Sequence, residues 1–446
     1  MTLTAESLLP VLEPWRGAPH WRVGLSGGLD SCLLLSLLAE LRQHTHQSSL
    51  PPLSAIHVDH QLHPDSGRWA AHCASFCETL GVPLDIRRVK VAVAGDGPEA
   101  AAREARYQAF TDCLGTGELL LLAHHLDDQV ETFFLRLMRG AGTRGLAGMP
   151  QTRSLGSGHL LRPLLNYSRA ELEHSARERG FEWVEDPSNA ALDADRNFLR
   201  WQLLPGLASR WPGYRRSVVT SMESLADAEL ALAALDEGRL AEARAEAFGE
   251  PCLDLAVLGA ESLTESVRLL RRWLESEGVS PPPRGQLLEF ARQLADAAED
   301  SQPALALSSG SLRRYRQRVY LVAEAADLPQ DARLEPGKPL ALAGLGELWV
   351  EPADSGLALP GSGGWDLGWR SGGERCRPVG RSQSQALKQL LQERAVPPWI
   401  RERLPLLYAD DELAAVADLL VCEGHQAASG EAAYRVRWQP LRAVSD

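Results

Sequence analysis

Val23-Gly24-Leu25-Ser26-Gly27-Gly28-Leu29-Asp30-Ser31 is the stretch that decides the fold of the first half of this chain. An apolar run, 22–25, enters it and an amphipathic pattern, 31–42, leaves it, with two glycines between. Glycine lets the backbone turn tightly and approach an anion closely. Such a turn presents amide N–H groups and a helix N-terminus, a natural phosphate site. Ser26 and Ser31 add hydroxyl donors. The spacing is neither the Walker A pattern nor GxGxxG. Working outward, the apolar runs 22–25, 53–59, 84–89 and 118–123 alternate with the helical patterns 31–42, 68–80 and 99–114. That alternation predicts an α/β fold with a doubly wound parallel sheet. Ligands of such sheets sit at the carboxyl ends of the strands, and each of the following motifs falls there.

The second strand ends in His57-Val58-Asp59-His60. The third helical pattern carries Arg103, Arg106 and Tyr107, one turn apart. The fourth strand leads into Ala123-His124-His125-Leu126-Asp127-Asp128-Gln129-Val130-Glu131-Thr132. Acidic residues in a first turn complement the helix dipole, which accounts for one or two carboxylates but not for this whole string. Carboxylates gathered at one helix start suit a cationic amine, either binding its ammonium or, with a base, taking its proton. A glycine-rich loop follows, Arg139-Gly140-Ala141-Gly142-Thr143-Arg144-Gly145-Leu146, suited to closing over a substrate. Further on come Arg162-Pro163-Leu164-Leu165, Glu185-Asp186-Pro187-Ser188-Asn189 and Arg196-Asn197-Phe198-Leu199-Arg200. Arg196 and Arg200 stand at i and i+4, giving a basic helical face.

Taken together, SGGLDS after a strand resembles the pyrophosphate loop (PP-loop) of the N-type ATP pyrophosphatases. The further strings narrow the resemblance to the tRNA(Ile)-lysidine synthetase family. It is strong over about 20–216 and returns at 370–403, in Gly373-Glu374-Arg375, Leu387-Lys388-Gln389-Leu390-Leu391 and Val396-Pro397-Pro398-Trp399-Ile400-Arg401. One departure is His63, where many relatives carry arginine. The resemblance implies an ATP-dependent ligase. ATP adenylates carbon 2 of the wobble cytidine of a tRNA(Ile) with a CAU anticodon, pyrophosphate leaves, and the L-lysine side-chain amine displaces AMP to give lysidine. It also implies an ATP site at Ser26, Gly27, Gly28, Leu29, Asp30, Ser31, His57 and Val58. A carboxylate beside a pyrophosphate repels it unless a hard cation lies between, so Asp30 is expected to take Mg2+. The expected catalytic set is Asp30, Arg103, His124, Asp128, Glu131 and Arg196. Within it Asp128 and Glu131 handle lysine, His124 handles the nucleotide or a proton, and Arg103 and Arg196 stabilise the activated phosphate. RNA contacts are expected at Arg139, Arg144, Arg200, Arg375, Arg377, Arg381, Lys388 and Arg401.

Two alternatives stand beside this reading. Another tRNA modifier of the superfamily, such as a 2-thiocytidine synthetase, needs cysteine chemistry, typically CxxC pairs, and this chain has none. A non-catalytic ATP- or RNA-binding protein would not need Asp30, Asp128 and Glu131 intact.

The chain has 446 residues, enough for two or three domains. The expected division is a PP-loop catalytic domain over 1–216, a mainly helical middle domain over 217–325, a linker over 326–339 and an α+β tRNA-binding domain over 340–446. The middle follows from Ala-, Leu- and Glu-rich helical patterns at 217–250, 264–277 and 285–298, with a hairpin at 308–322 and Gly310 near its turn. The last unit mixes strands over 340–352 with a helix over 382–394. A net charge of −13 argues at first against a nucleic-acid partner. Counted by region the objection fails: 217–330 carries −8, whereas 136–216 carries +5. Seven scattered cysteines suggest no disulfide framework and a reducing, cytoplasmic setting. No secretory signal and no apolar run long enough for a membrane span is visible. The sequence leaves the oligomeric state open, a homodimer included.

Overall fold

The computed structural model describes residues 3–44, 50–91, 98–180, 182–184, 195–259, 262–298, 301–324, 327–329 and 332–440. Two compact units divide the chain, Met1–Ala231 and Leu232–Asp446. The motif at 185–189 lies outside the described residues.

The first unit is built on a six-stranded sheet: β1 (Trp21–Gly24), β2 (Leu53–Asp59), β3 (Leu84–Arg88), β4 (Leu119–Leu121), β5 (Thr152–Leu155) and β6 (Gly158–Leu161). Their order is β3-β2-β1-β4-β6-β5. All neighbours are parallel except β5, which runs antiparallel at the edge. Every position of β2 is buried, as a strand covered on both faces requires. Helices α1 (Leu29–His44), α2 (Ser66–Leu80), α3 (Pro98–Cys113), α4 (Leu126–Met138) and α5 (Arg169–Arg179) supply the cover. Helix α1 buries Leu33, Leu34, Leu35, Leu37 and Leu38 completely. A helix apolar on most sides has neighbours on most sides, and α1 is the spine of this core. The strand order reverses between β1 and β4, so the loops after these two strands open side by side at a topological switch point.

The long helix α6 (Tyr214–Ala243) crosses the division between the units. The helical pattern read over 217–250 therefore ends early. Arg244–Ala247 (β7) and Glu250–Asp254 (β8) form a hairpin instead. Phe248 and Gly249 between them both take positive φ, 57° and 77°, as a two-residue hairpin turn requires. The hairpin joins β9 (Ala304–Leu307), β10 (Gly310–Tyr315) and β11 (Arg318–Val322) in an antiparallel sheet ordered β7-β8-β11-β10-β9. Helices α7 (Leu263–Ser276) and α8 (Arg284–Asp296) share a core with it through Trp273 and Phe290. Gly310 opens β10; the turn between β10 and β11 is at Arg316, with φ 53°.

The last part of the chain is three more antiparallel sheets, of five, four and two strands. Arg333–Leu334, inside the stretch read as a linker, pairs with Trp365 and Asp366. Leu334 is fully buried there. The expected helix over 382–394 is shorter, Leu387–Glu393, because Gln385–Ala386 pairs with Arg375–Cys376. Cys376 and Cys422 are disulfide-bonded, their Cα atoms 5.8 Å apart, a pairing that scattered spacing does not signal. Among the described residues no helix is long and apolar enough to cross a membrane.

Candidate active site

The loop after β1 is held from inside. The Ser31 hydroxyl accepts from the Ser26 amide at 3.1 Å and donates to the Gly28 carbonyl at 3.1 Å. Ser26 Oγ lies 3.0 Å from it and takes the Gly28 amide at 3.3 Å. Gly27 sits at φ +87°, and a Cβ there would stand 3.1 Å from Cys73 Sγ. Only glycine fits both conditions. His57 is buried beneath the loop, its Nδ1 2.9 Å from the Leu25 carbonyl. A carbonyl only accepts, so Nδ1 carries the proton. Val58 is buried beside it.

Asp30, in the first turn of α1, points at the loop after β4. Arg169 Nη1 reaches both of its oxygens at 2.6 Å. His125 Nε2 stands 3.7 Å from Asp30 and 3.6 Å from Asp128. Burial pushes the Asp30 carboxyl above its usual range, and Asp128 adds to the push; His125 and Arg169 oppose it. Asp128 and His125 form the capping box of α4, the Asp128 carboxylate accepting from the His125 amide at 3.0 Å. Burial works to raise the Asp128 carboxyl as well, yet His125, Arg196 and His124 outweigh it and hold it below the usual carboxylate range. Asp127 accepts from the Arg169 amide at 2.8 Å and from the Arg215 guanidinium.

Glu131 is 1% exposed. Arg200 donates to it twice, Nε to Oε1 at 2.7 Å and Nη2 to Oε2 at 2.9 Å. Arg196 Nε lies 2.9 Å from Oε2. Both oxygens are therefore engaged by guanidiniums. His124 has a sealed Nδ1 with no partner among the described residues. Burial first, then Arg162, Arg106 and Arg103, push its pKa down to about 3, against the pull of Asp128. His124 is therefore neutral at physiological pH.

Asp30, His124, Asp128, Glu131 and Arg196 thus gather around the switch point, with Arg103 near enough to act on His124 through its charge. Three further residues join them, His125, Arg169 and Arg215. His125 stood in the quoted motif, and Arg169 follows Ser168 in a Ser-Arg-Ala-Glu capping box legible in the sequence. Arg139 is exposed and pairs with Asp195 at 3.6 Å, and Arg144 is exposed on the short helix Thr143–Leu146. Arg200, also expected at RNA, pairs with Glu131 and keeps a third of its side chain in solvent. In the second unit Arg375, Arg377, Arg381 and Lys388 are exposed. Arg401 is not: it is 7% exposed, donating to the Val396 carbonyl at 2.7 Å and the Tyr315 hydroxyl at 3.0 Å. Its guanidinium is part of a core, and its expected RNA contact is withdrawn. Among the described residues no cluster of three or more His, Cys, Asp or Glu is arranged to hold a metal.

Residues 2–207 match the PP-loop domain family, 253–320 the TilS substrate binding domain and 366–438 the TilS substrate C-terminal domain. The tRNA(Ile)-lysidine synthase of Pseudomonas syringae pv. tomato is 42% identical over 441 residues, covering 97% of this chain and 95% of that protein. That of Pseudomonas aeruginosa is 42% identical over 451 residues, covering 97% and 96%. The Serratia proteamaculans enzyme is 40% identical over 432 residues, covering 94% and 95%.

Proposed function

Because this chain belongs to the tRNA(Ile)-lysidine synthase family, we infer that it is an ATP-dependent ligase that joins L-lysine to carbon 2 of the wobble cytidine in a CAU anticodon. The observation that carries the reading is the switch-point cluster. The phosphate-type loop, Ser26–Ser31, carries Asp30, which shares His125 with a second carboxylate, Asp128.

The residues divide the work as follows. The amides and hydroxyls of the loop receive the pyrophosphate of ATP. The oxygens of Asp30, which Arg169 holds at 2.6 Å, are hard donors of the kind a magnesium ion takes. Magnesium held there would neutralise the leaving pyrophosphate. The target cytidine has to leave its stack to reach this depth. Charge on the activated phosphate meets Arg103 and Arg196. The lysine ammonium, with a free pKa of about 10.4, must lose a proton before it attacks. Asp128, ionised and tied to Arg196 only at 3.9 Å, is our candidate for binding it. Glu131 instead holds Arg196 and Arg200 in place. The exposed Arg375, Arg377, Arg381 and Lys388 are assigned to the tRNA body.

The test is AMP release from MgATP and a CAU-anticodon tRNA(Ile) transcript, with and without lysine, followed by mass analysis of the wobble nucleoside. Lysine-dependent AMP and a lysine-adduct mass are expected. AMP formation indifferent to lysine would overturn the reading.

A further inference from the structure

Where α3 meets the β5–β6 edge, the first unit carries positive charge with no matching acid. Tyr107 of α3 stands between two guanidiniums, with Arg103 and Arg153 each 5.0 Å from its ring centroid. Its hydroxyl faces a third, Arg162. Arg162 is only 3% exposed. Its Nη1 donates to the Pro150 carbonyl at 2.7 Å, while its Nε has no partner among the described residues. Arg103 and Arg153 reach solvent. Among the described residues the contacts of Arg103, Arg153 and Arg162 are with Tyr107, with this carbonyl and with one another's field, never with a carboxylate.

The position is as telling as the charge. Strands β4 and β6 are parallel and pair Leu121 with Leu161, so they finish side by side. Arg162 follows one and His124 the other. The patch therefore lies at the carboxyl edge of the sheet, where such folds bind ligands. Crowded guanidiniums repel one another, and a buried N–H without an acceptor is costly. One anion relieves both. Phosphate fits best, because the planar guanidinium fork matches its oxygens.

We propose that Arg103, Tyr107, Arg153 and Arg162 form a phosphate-binding cage beside His124, separate from the glycine loop. The proposal rests on the tRNA-ligase reading, and that reaction offers two phosphates: the RNA strand next to the target cytidine, and the pyrophosphate end of ATP. The loop after β1 takes the pyrophosphate and Arg103 is shared with the activated phosphate, while Arg153 and Arg162 have no nucleotide role, which leaves the RNA phosphodiester as the expected occupant.

Arg153→Glu in the full chain tests this, since an exposed edge residue can change sign without disturbing a core. Three quantities are measured beside wild type: binding of a CAU-anticodon tRNA(Ile) transcript across a salt series, inhibition by inorganic pyrophosphate, and lysine-dependent AMP release. For an RNA phosphate, tRNA affinity falls about tenfold, the salt slope loses about one unit, and pyrophosphate inhibition stays within about twofold of wild type. Weakened pyrophosphate inhibition with tRNA binding intact assigns the cage to the nucleotide. Both unchanged overturns the cage while wild-type turnover leaves the ligase reading standing. Absence of tRNA- and lysine-dependent turnover in wild type would sink the ligase reading itself.

Discussion

Glu131 gives one carboxylate oxygen to Arg200 Nε at 2.7 Å and the other to Arg200 Nη2 at 2.9 Å, a fork-to-fork pair across 69 residues of chain. The acid is sealed, whereas the Arg200 side chain keeps a third of its surface in solvent. Such a pair positions more than it stabilises, because desolvating the acid consumes much of the Coulomb gain.

Replacing Glu131 with Gln therefore loosens Arg196 and Arg200 together. We expect unfolding free energy to drop by about 1–3 kcal/mol and kcat/KM to fall about a hundredfold through the displaced guanidiniums. Thermal melts and steady-state kinetics check this. A variant with an unchanged melt and a raised KM for lysine alone would return Glu131 to direct substrate binding.

His124, held neutral down to about pH 3 by burial and by Arg162, Arg106 and Arg103, cannot supply an ionisation between pH 5 and 9. His124→Gln is expected to lower kcat while leaving the shape of the pH–rate profile as in wild type. Loss of one limb of that profile in the variant contradicts the neutral assignment.

Glu250 offers a stability test in the second unit. Burial raises its pKa from 4.5 to about 7, against the pull of Arg403, whose Nη1 is 3.6 Å away. A folded pKa above the unfolded one means that the folded state binds the proton more tightly. That contribution is whole below pH 4.5 and is lost as pH rises through about 7. Glu250→Gln should therefore gain on wild type as pH climbs from 4.5 to 8, by about 1–3 kcal/mol at most. Melts at both ends of this range decide it; a constant difference between the two proteins would refute it.

Arg401 and Lys388 separate core from surface in the same region. Arg401→Ala leaves the Val396 carbonyl and the Tyr315 hydroxyl without their donor, which costs about 1–3 kcal/mol. Its tRNA affinity should match wild type at temperatures where it is folded. Lys388→Glu should melt as wild type does and bind tRNA several-fold more weakly, with a shallower salt slope. Equal binding by wild type and Lys388→Glu removes this helix from the tRNA surface.

Much of the first unit was legible because its signals are local. The runs at 22–25, 53–59 and 84–89 differ from β1, β2 and β3 by a residue at most, and the capping string at 123–132 marks the start of α4. What stayed hidden depends on distant partners. Arg244-Ala245-Glu246-Ala247 consists of good helix formers, and only the Phe248-Gly249 turn and the facing strand make it β7. Leu334 reads as one of two leucines in a polar stretch until Trp365 pairs beside it. Arg401 looks like one arginine in a basic series, and no local pattern announces Tyr315 as its partner. The acid series of α4 was visible, but not which member would be silenced by Arg196 and Arg200.

The strand order also has a consequence during synthesis. β1 has its second neighbour, β4, nearly a hundred residues downstream, and the cations for Glu131 come later still. At ribosomal speeds, β1 waits with one bare edge for roughly 5–20 s. The nascent domain spends that interval with Trp21 and Val23 on an unpaired strand, the kind of edge that invites wrong partners. A chaperone that shields this edge until about residue 121, and the buried acid until about residue 200, would act on the protein before any nucleotide can.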